Sequence, residues 1–302
     1  MNDIYEVLII GCGPCGITVA ERLKKANIKS AIIEFSTPGG KVNIAPRVDN
    51  YPGYYQIPGP QLAMDFYKKV MENNIEMIYD EVKELTKEDD LFILKGNFDT
   101  YKAKKVVIAT GTKERKIGLA KEDEFLGHGI SYCALCDGHF FKQKDIVVIG
   151  GGDSALKEAI HLAHIGQKVY VVHRRNEFRG NEYLVDELKA FNNVEFVTPY
   201  VAKEILGEDK VTGVRLENVN SGEERIIECE GLFPLVGQIP NSSFVKIENV
   251  LNNKGFAIVN QNFETSCPNL YAGGDILATD IRQIYIAVDN ANVIADTIIK
   301  SI

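Results

Sequence analysis

Short unbroken apolar runs alternate with amphipathic stretches along this chain, and the alternation repeats itself. Val7-Leu8-Ile9-Ile10 enters Gly11-Cys12-Gly13-Pro14-Cys15-Gly16. A continuous apolar run closed by glycine predicts a strand buried on both faces. Beyond it Val19, Leu23 and Ala26 recur at helical spacing, and Ser30-Ala31-Ile32-Ile33 predicts a second strand ending at Glu34. The same order returns at Ile146-Val147-Val148-Ile149, which enters Gly150-Gly151-Gly152-Asp153-Ser154-Ala155. A helix carrying Ala159, Leu162 and Ala163 follows, then Val169-Tyr170-Val171-Val172 ending at His173. Gly11 to Glu34 and Gly150 to His173 both span 23 positions, so the two units superimpose with a shift of 139.

Each unit has the mechanics of a dinucleotide site. The first glycine (Gly11, Gly150) permits the tight turn, and the second (Gly13, Gly152) lets backbone approach a pyrophosphate. The third small residue (Gly16, Ala155) lets helix and strand pack closely. Pro14 opens one helix, Asp153 and Ser154 the other, and each helix start offers free N–H groups to an anion. The second strand ends separate the ligands. Glu34 suits a ribose 2′-hydroxyl, whereas His173-Arg174-Arg175, with Arg179 four further on, suits a 2′-phosphate. The first unit therefore reads as binding FAD and the second as binding NADPH.

Two later runs set the topology. Residues 106–109 run into Thr110-Gly111-Thr112, and residues 269–272 run into Gly273-Gly274-Asp275. A late strand returning to the first unit makes the second an insertion. The expected fold is α/β with two Rossmann-like dinucleotide-binding domains. The NADPH domain (116–241) interrupts the FAD domain (1–115 and 242–302).

Composition narrows the class. The 302 residues are 45% hydrophobic and 25% charged, with a formal net charge of −8. That length allows about two domains, and the balance is that of globular proteins. The acidic excess, without a block of Lys and Arg, argues against nucleic acid as a partner. No run of about 18 apolar residues suggests a membrane span, and Met1-Asn2-Asp3-Ile4-Tyr5-Glu6 lacks the basic start of a secretory signal. Six cysteines are too few for a disulfide scaffold. A cytoplasmic location is expected.

Four of those cysteines form two CxxC pairs. Cys12-Gly13-Pro14-Cys15 spells a thiol-exchange string, but it lies inside the first glycine loop, where small packing side chains are wanted. Cys133-Ala134-Leu135-Cys136-Asp137-Gly138 lies just before the second unit, with Asp137 placed to shuttle the proton that thiol–disulfide exchange needs. Four thiolates also make zinc arithmetic, although the pairs are 118 residues apart and one occupies a phosphate loop; no metal is expected. Cys229 and Cys267 stand alone and read as inert.

These motifs, in this order, resemble the bacterial low-molecular-weight NADPH-dependent thioredoxin reductases over nearly the whole chain. Besides both glycine loops and Cys133-Ala134-Leu135-Cys136-Asp137-Gly138, the resemblance rests on Pro38-Gly39-Gly40, Asn50-Tyr51-Pro52-Gly53, Ala109-Thr110-Gly111, Phe178-Arg179, Gly274-Asp275 and Arg282-Gln283. It implies that Gly40, Lys41, Asn50, Thr110, Gly111, Asp275, Arg282 and Gln283 join the FAD site. It also implies electron flow from NADPH through FAD to a Cys133–Cys136 disulfide and on to thioredoxin. Cys136 would face the flavin, Cys133 the partner, and Asp137 would act as acid and base. A homodimer is implied too. Departures from the pattern are Lys41 for Gln, His128 for a basic residue, and Ile284-Tyr285-Ile286-Ala287-Val288-Asp289 after Arg282-Gln283. Phe140 and Phe141 fit either a docking patch or the core. Alternatives are a ferredoxin- or oxygen-dependent flavoprotein dithiol oxidoreductase, for which Arg174, Arg175 and Arg179 are unneeded, and a non-enzymatic flavin redox sensor.

Overall fold

The first apolar run lies within β1 (Ile4–Ile10) of the computed structural model, which describes residues 4–45, 47–279 and 281–302. Met1-Asn2-Asp3, used above in reading the amino terminus, lie outside the described residues. The chain divides into two units. The first runs to Lys113 and resumes at Ile239, and the second spans Glu114–Gln238.

In the first unit β1 is followed by α1 (Pro14–Lys25), β2 (Ser30–Ile33), α2 (Gly59–Glu72), β3 (Glu76–Ile78), β4 (Glu84–Glu88), β5 (Leu91–Lys95) and β6 (Thr100–Ile108). β1 pairs in parallel with β2 on one side and β6 on the other, so both its faces need covers. That explains an unbroken apolar run instead of alternation. Val7 and Ile9 pack into one core with Ile17, Leu23, Ile294 and Ile298, while Leu8 and Ile10 point into a second core with Phe92, Leu94 and Leu270. Each such buried side chain stabilises the fold by about 1.5–3 kcal/mol relative to exposure. The helix stops at Lys25, and Ala26, expected on its apolar face, is the exposed residue that caps it.

The chain then crosses through β7 (Thr112–Glu114) and enters the second unit with α3 (Ala134–Asp137), β8 (Asp145–Ile149), α4 (Asp153–Ala163), β9 (Lys168–Val172), α5 (Glu182–Lys189) and β10 (Val194–Val197). A small antiparallel sheet follows, made of β11 (Tyr200–Leu206), β12 (Gly213–Asn218) and β13 (Glu224–Glu228). β14 (Gly231–Pro234) then completes the parallel sheet β10-β9-β8-β14. The chain returns through β15 (Gln238–Pro240), which pairs with β7. β16 (Leu270–Ala272) lies parallel to the end of β6, whose start pairs with antiparallel β5 on the same edge, and α6 (Ile284–Lys300) covers the sheet against α1.

The internal echo extends to individual hydrogen bonds. Gly11 N–H donates to Ile33 O at 2.9 Å, and Gly150 N–H to Val172 O at 3.0 Å. Ile17 N–H reaches Gly13 O at 3.0 Å, and Leu156 N–H reaches Gly152 O at 3.1 Å. Glu34 and His173 bond their amides to the next parallel strand, at Ile78 O and Val197 O. Donors and acceptors of the first two pairs are offset by 139, the shift read from the sequence.

Candidate redox and dinucleotide sites

What the two glycine loops can hold follows from what a methyl group would meet. At Gly11 a Cβ would lie 2.5 Å from Ala109 O, and at Gly16 it would lie 2.0 Å from Gly11 O. At Gly150 it would lie 2.5 Å from both the Ala155 Cβ and Leu235 O. These glycines serve the fold. Gly13 and Gly152, by contrast, face open space, with nothing within 4 Å of a Cβ. Both begin a helix in extended conformation and make no side-chain cap. The open second glycine at a helix start is the feature a pyrophosphate requires, so both loops fit a dinucleotide.

The strand ends differ as their chemistry demands. Glu34 is buried, and its carboxylate accepts Cys12 N–H and Ser36 N–H, each at 2.8 Å. His173 occupies the equivalent place, with its ring across Gly151, where any Cβ would come within 2.3 Å of Nδ1. Cys12 matches Gly151 under the 139-residue shift, so the larger imidazole accounts for glycine there. Burial, then the charges of Arg179, Arg174 and Arg175, lower the His173 pKa, and the neutral ring stacks on Phe178 at 5.2 Å. Arg174 and Arg175 are exposed, and Arg179 is tied to the loop by its N–H to Gly151 O at 2.8 Å. Asp153 faces the same turn, its Oδ1 accepting Asn181 N–H at 2.7 Å. Ser154 is exposed beside it, and Ala155 is buried.

In the first unit the remaining expected residues gather past the ends of β1, β6 and β16. Gly40 lies against Gly13, where its Cβ would be 3.5 Å from the Gly13 Cα. Lys41 Nζ reaches Thr112 Oγ1 at 3.3 Å and Asp275 Oδ2 at 3.4 Å. Gly111 adopts φ +62° beside the Asp275 Cβ. Thr110 Oγ1–H donates to Asn241 O at 2.6 Å, fastening this turn to the returning chain. Asn50 donates to Gln283 Oε1 at 2.9 Å, and the Arg282 guanidinium lies 5.2 Å from the Phe256 ring with Nε buried and lacking a hydrogen-bond partner.

The second unit holds a Cys133–Cys136 disulfide spanning α3. Both sulfurs belong to half-buried residues, and Leu135 between them is exposed. Cys136 N–H points at Cys133 Sγ (3.2 Å), and Asp137 N–H at Cys133 O (3.0 Å). Asp137 is buried and receives the Ser131 hydroxyl at 2.5 Å; Ser131 Oγ also accepts Cys133 N–H at 3.1 Å. A carboxyl group, a hydroxyl and two sulfurs thus share one turn. Phe141 belongs to the core, edge-on to Phe233, while Phe140 is exposed.

The other cysteine pair is chemically quiet. Burial, reinforced by Glu34 for Cys12 and by Asp275 for Cys15, pushes both thiols up to about 12. Cys229 is buried and likewise pushed up to about 12 by burial, then by Glu230 and Asp145, whereas Cys267 is only half-buried. Among the described residues, no group of three or more His, Cys, Asp and Glu side chains is placed to hold a metal ion.

Three residues at the redox turn escaped the sequence reading: Ser131, Glu158, whose Oε2 accepts Ala134 N–H at 2.6 Å, and Glu122. The buried Glu122 carboxylate gathers Ile117 N–H, Gly118 N–H and the Tyr132 hydroxyl, bracing the segment before Cys133. Only Ser131 lies near enough in sequence for proximity to have flagged it.

A disulfide beside a buried carboxyl group, joined in one chain to two dinucleotide loops, defines a flavin- and nicotinamide-linked disulfide oxidoreductase. The chain belongs to the pyridine nucleotide-disulphide oxidoreductase family, which it matches over residues 5–291. Thioredoxin reductases are among the relatives it matches over nearly its whole length. It is 41% identical to that of Mycoplasma pneumoniae over 98% of this chain and 94% of the relative. It is 37% identical to that of Bacillus subtilis, again over 98% and 94%. The crystal structure of thioredoxin reductase from Streptococcus pyogenes superimposes with a TM-score of 0.92 at 39% identity, covering 99% of this chain and 98% of that one. The expected fold class is therefore correct. Among the described residues no helix is long and apolar enough to cross a membrane.

Proposed function

We propose that this chain is an NADPH-dependent thioredoxin reductase, with FAD in the first unit and NADPH in the second. The observation that carries the reading is the pair of matching glycine loops with unlike strand ends, Glu34 in one and His173 with Arg174, Arg175 and Arg179 in the other. When bound, FAD and NADPH supply hydride and two-electron chemistry. The chain's own residues do the rest. Glu34 holds an adenosine ribose, and Gly11, Gly13, Pro14 and Gly16 bring amides to its pyrophosphate. Gly150, Gly152, Asp153, Ser154 and Ala155 form the second cradle, and the arginines pair with the 2′-phosphate.

At the dithiol, the Cys133 thiolate attacks the partner's disulfide, forming a mixed disulfide and releasing one partner thiolate. The Cys136 thiolate then attacks the Cys133 sulfur, restoring Cys133–Cys136 and freeing the second partner thiolate. Asp137, held by Ser131, removes a proton from the enzyme dithiol and returns one to the leaving thiolate. The partner is thioredoxin or a thioredoxin-like protein, and the working form is a cytoplasmic homodimer.

The test is coenzyme choice. Replacing Arg174 and Arg175 with Ala removes charge-assisted hydrogen bonds worth roughly 1.5–3 kcal/mol each. kcat/KM for NADPH then falls at least tenfold while that for NADH stays nearly constant. Equal losses with both coenzymes contradict the assignment.

A further inference from the structure

The dinucleotide reading leaves one acidic group of α4 unused. Glu158 Oε2 accepts the Ala134 N–H at 2.6 Å, and Ala134 follows Cys133 as the first residue of α3. With Cys133 N–H on Ser131 Oγ, Cys136 N–H on Cys133 Sγ and Asp137 N–H on Cys133 O, four amides of the turn have fixed partners. Glu158 comes from a different element, 22 residues beyond Cys136, so it locks the turn to the body of the unit.

α4 packs on the core of Ile146, Val148, Val169, Val171, Leu184 and Leu188 through Leu156, Ala159 and Leu162, and Glu158 is half-buried on the same helix. Burial first, and the nearby Glu114 charge on β7 as well, push its carboxyl up to about 7, against the Ala134 hydrogen bond, which lowers it. The other titratable groups on these two elements are Asp137 on α3, His139 just beyond it, and Lys157 and His161 on α4 itself.

We propose that Glu158 is a positioning residue for the redox turn: it holds the amide after Cys133, and its negative charge opposes ionisation of the thiols formed when the Cys133–Cys136 bond opens. The proposal rests on that pair being the redox dithiol. Opening the disulfide takes two electrons and two protons and leaves two thiols; the nucleophile appears when one of them releases a proton. A carboxylate beside the turn disfavours a second negative charge there, and a neutral carboxyl group does not. Reactivity of the dithiol is thereby linked to the protonation of Glu158.

The experiment uses the holoenzyme reduced with dithiothreitol, desalted, and alkylated with iodoacetamide from pH 5 to 10. Modification of Cys133 and Cys136 is followed separately by mass spectrometry. Glu158→Gln keeps an acceptor for Ala134 N–H and removes the charge. Its alkylation at pH 7 should be about tenfold faster, and the inflection near pH 7 in the wild-type profile should vanish. Glu114→Gln leaves Glu158 in place and should move that inflection to lower pH, a readout that survives if the Glu158 variant folds poorly. A pair that dithiothreitol does not open overturns the redox reading and this proposal together. Opened cysteines with the same profile in wild type and Glu158→Gln, or an inflection unmoved by Glu114→Gln, overturn this proposal alone.

Discussion

Two glycines of the second loop, two positions apart, should fail in opposite ways when replaced by alanine. At Gly150 the new methyl would meet the Ala155 Cβ and Leu235 O, both at 2.5 Å. Neither neighbour is a flexible side chain end, so backbone must shift, at a cost of about 1–3 kcal/mol. For a unit of this size that lowers the unfolding midpoint by roughly 5–15 °C. At Gly152 the backbone is extended (φ −100°, ψ 173°) and the methyl meets nothing within 4 Å. Alanine there gains about 0.4–1 kcal/mol by restricting the unfolded chain, and gives back a similar amount as a poorer helix cap, so stability barely changes. Its methyl instead occupies the space a pyrophosphate needs. Losing one charge-assisted hydrogen bond costs roughly 1.5–3 kcal/mol, about a 10- to 150-fold rise in Kd. Thermal unfolding of the ligand-free proteins, paired with NADPH titration by calorimetry, separates the two effects. If Gly152→Ala binds NADPH like the wild type, or loses as much stability as Gly150→Ala, the reasoning about this loop is wrong.

Replacing Cys12 and Cys15 together by Ala should leave bound FAD and thioredoxin turnover within a few-fold of wild type; a variant that keeps its flavin yet loses turnover would show a working dithiol there. Cys133→Ser should give a long-wavelength charge-transfer absorbance between the freed Cys136 thiolate and oxidised FAD while reducing no thioredoxin, and the band appearing only in Cys136→Ser would reverse the two roles. Glu158 has its carboxyl raised from 4.5 to about 7 in the folded protein, so its contribution to stability is fully present below about pH 4.5 and lost as pH rises through about 7. The midpoint difference between Glu158→Gln and wild type should therefore grow across that window, and a difference independent of pH would contradict it.

The features legible in the sequence were those whose causes are local. A strand buried on both faces must be apolar throughout, and the glycines after it are fixed by contacts within a few residues or with the adjoining strand, as at Gly16 against Gly11 O. The duplication made those local rules visible twice. What stayed hidden depends on which way a polar side chain turns in the folded chain, or on pairs far apart in it. Glu158 reads as one more charge on an amphipathic helix until α3 is seen to present Ala134 N–H to it. Glu122 reads as a surface acid until its carboxylate is found buried among two amides and the Tyr132 hydroxyl. The edge of β6 is shared between β5 and β16, over 170 residues apart, and no periodicity announces that arrangement. His173 falls between the two cases. Its register was legible, but its lie across Gly151, which explains that glycine, was not.

The central claim is that electrons from NADPH reach a thioredoxin disulfide through Cys133 and Cys136. Its most direct test mixes the FAD-loaded protein with NADPH and an oxidised thioredoxin, counting thiols formed against NADPH consumed. The account predicts two thiols per NADPH, dependence on added thioredoxin, and no thiols from Cys136→Ser. Wild-type protein that forms no thiols with NADPH, but does so when reduced ferredoxin replaces it, would contradict the account.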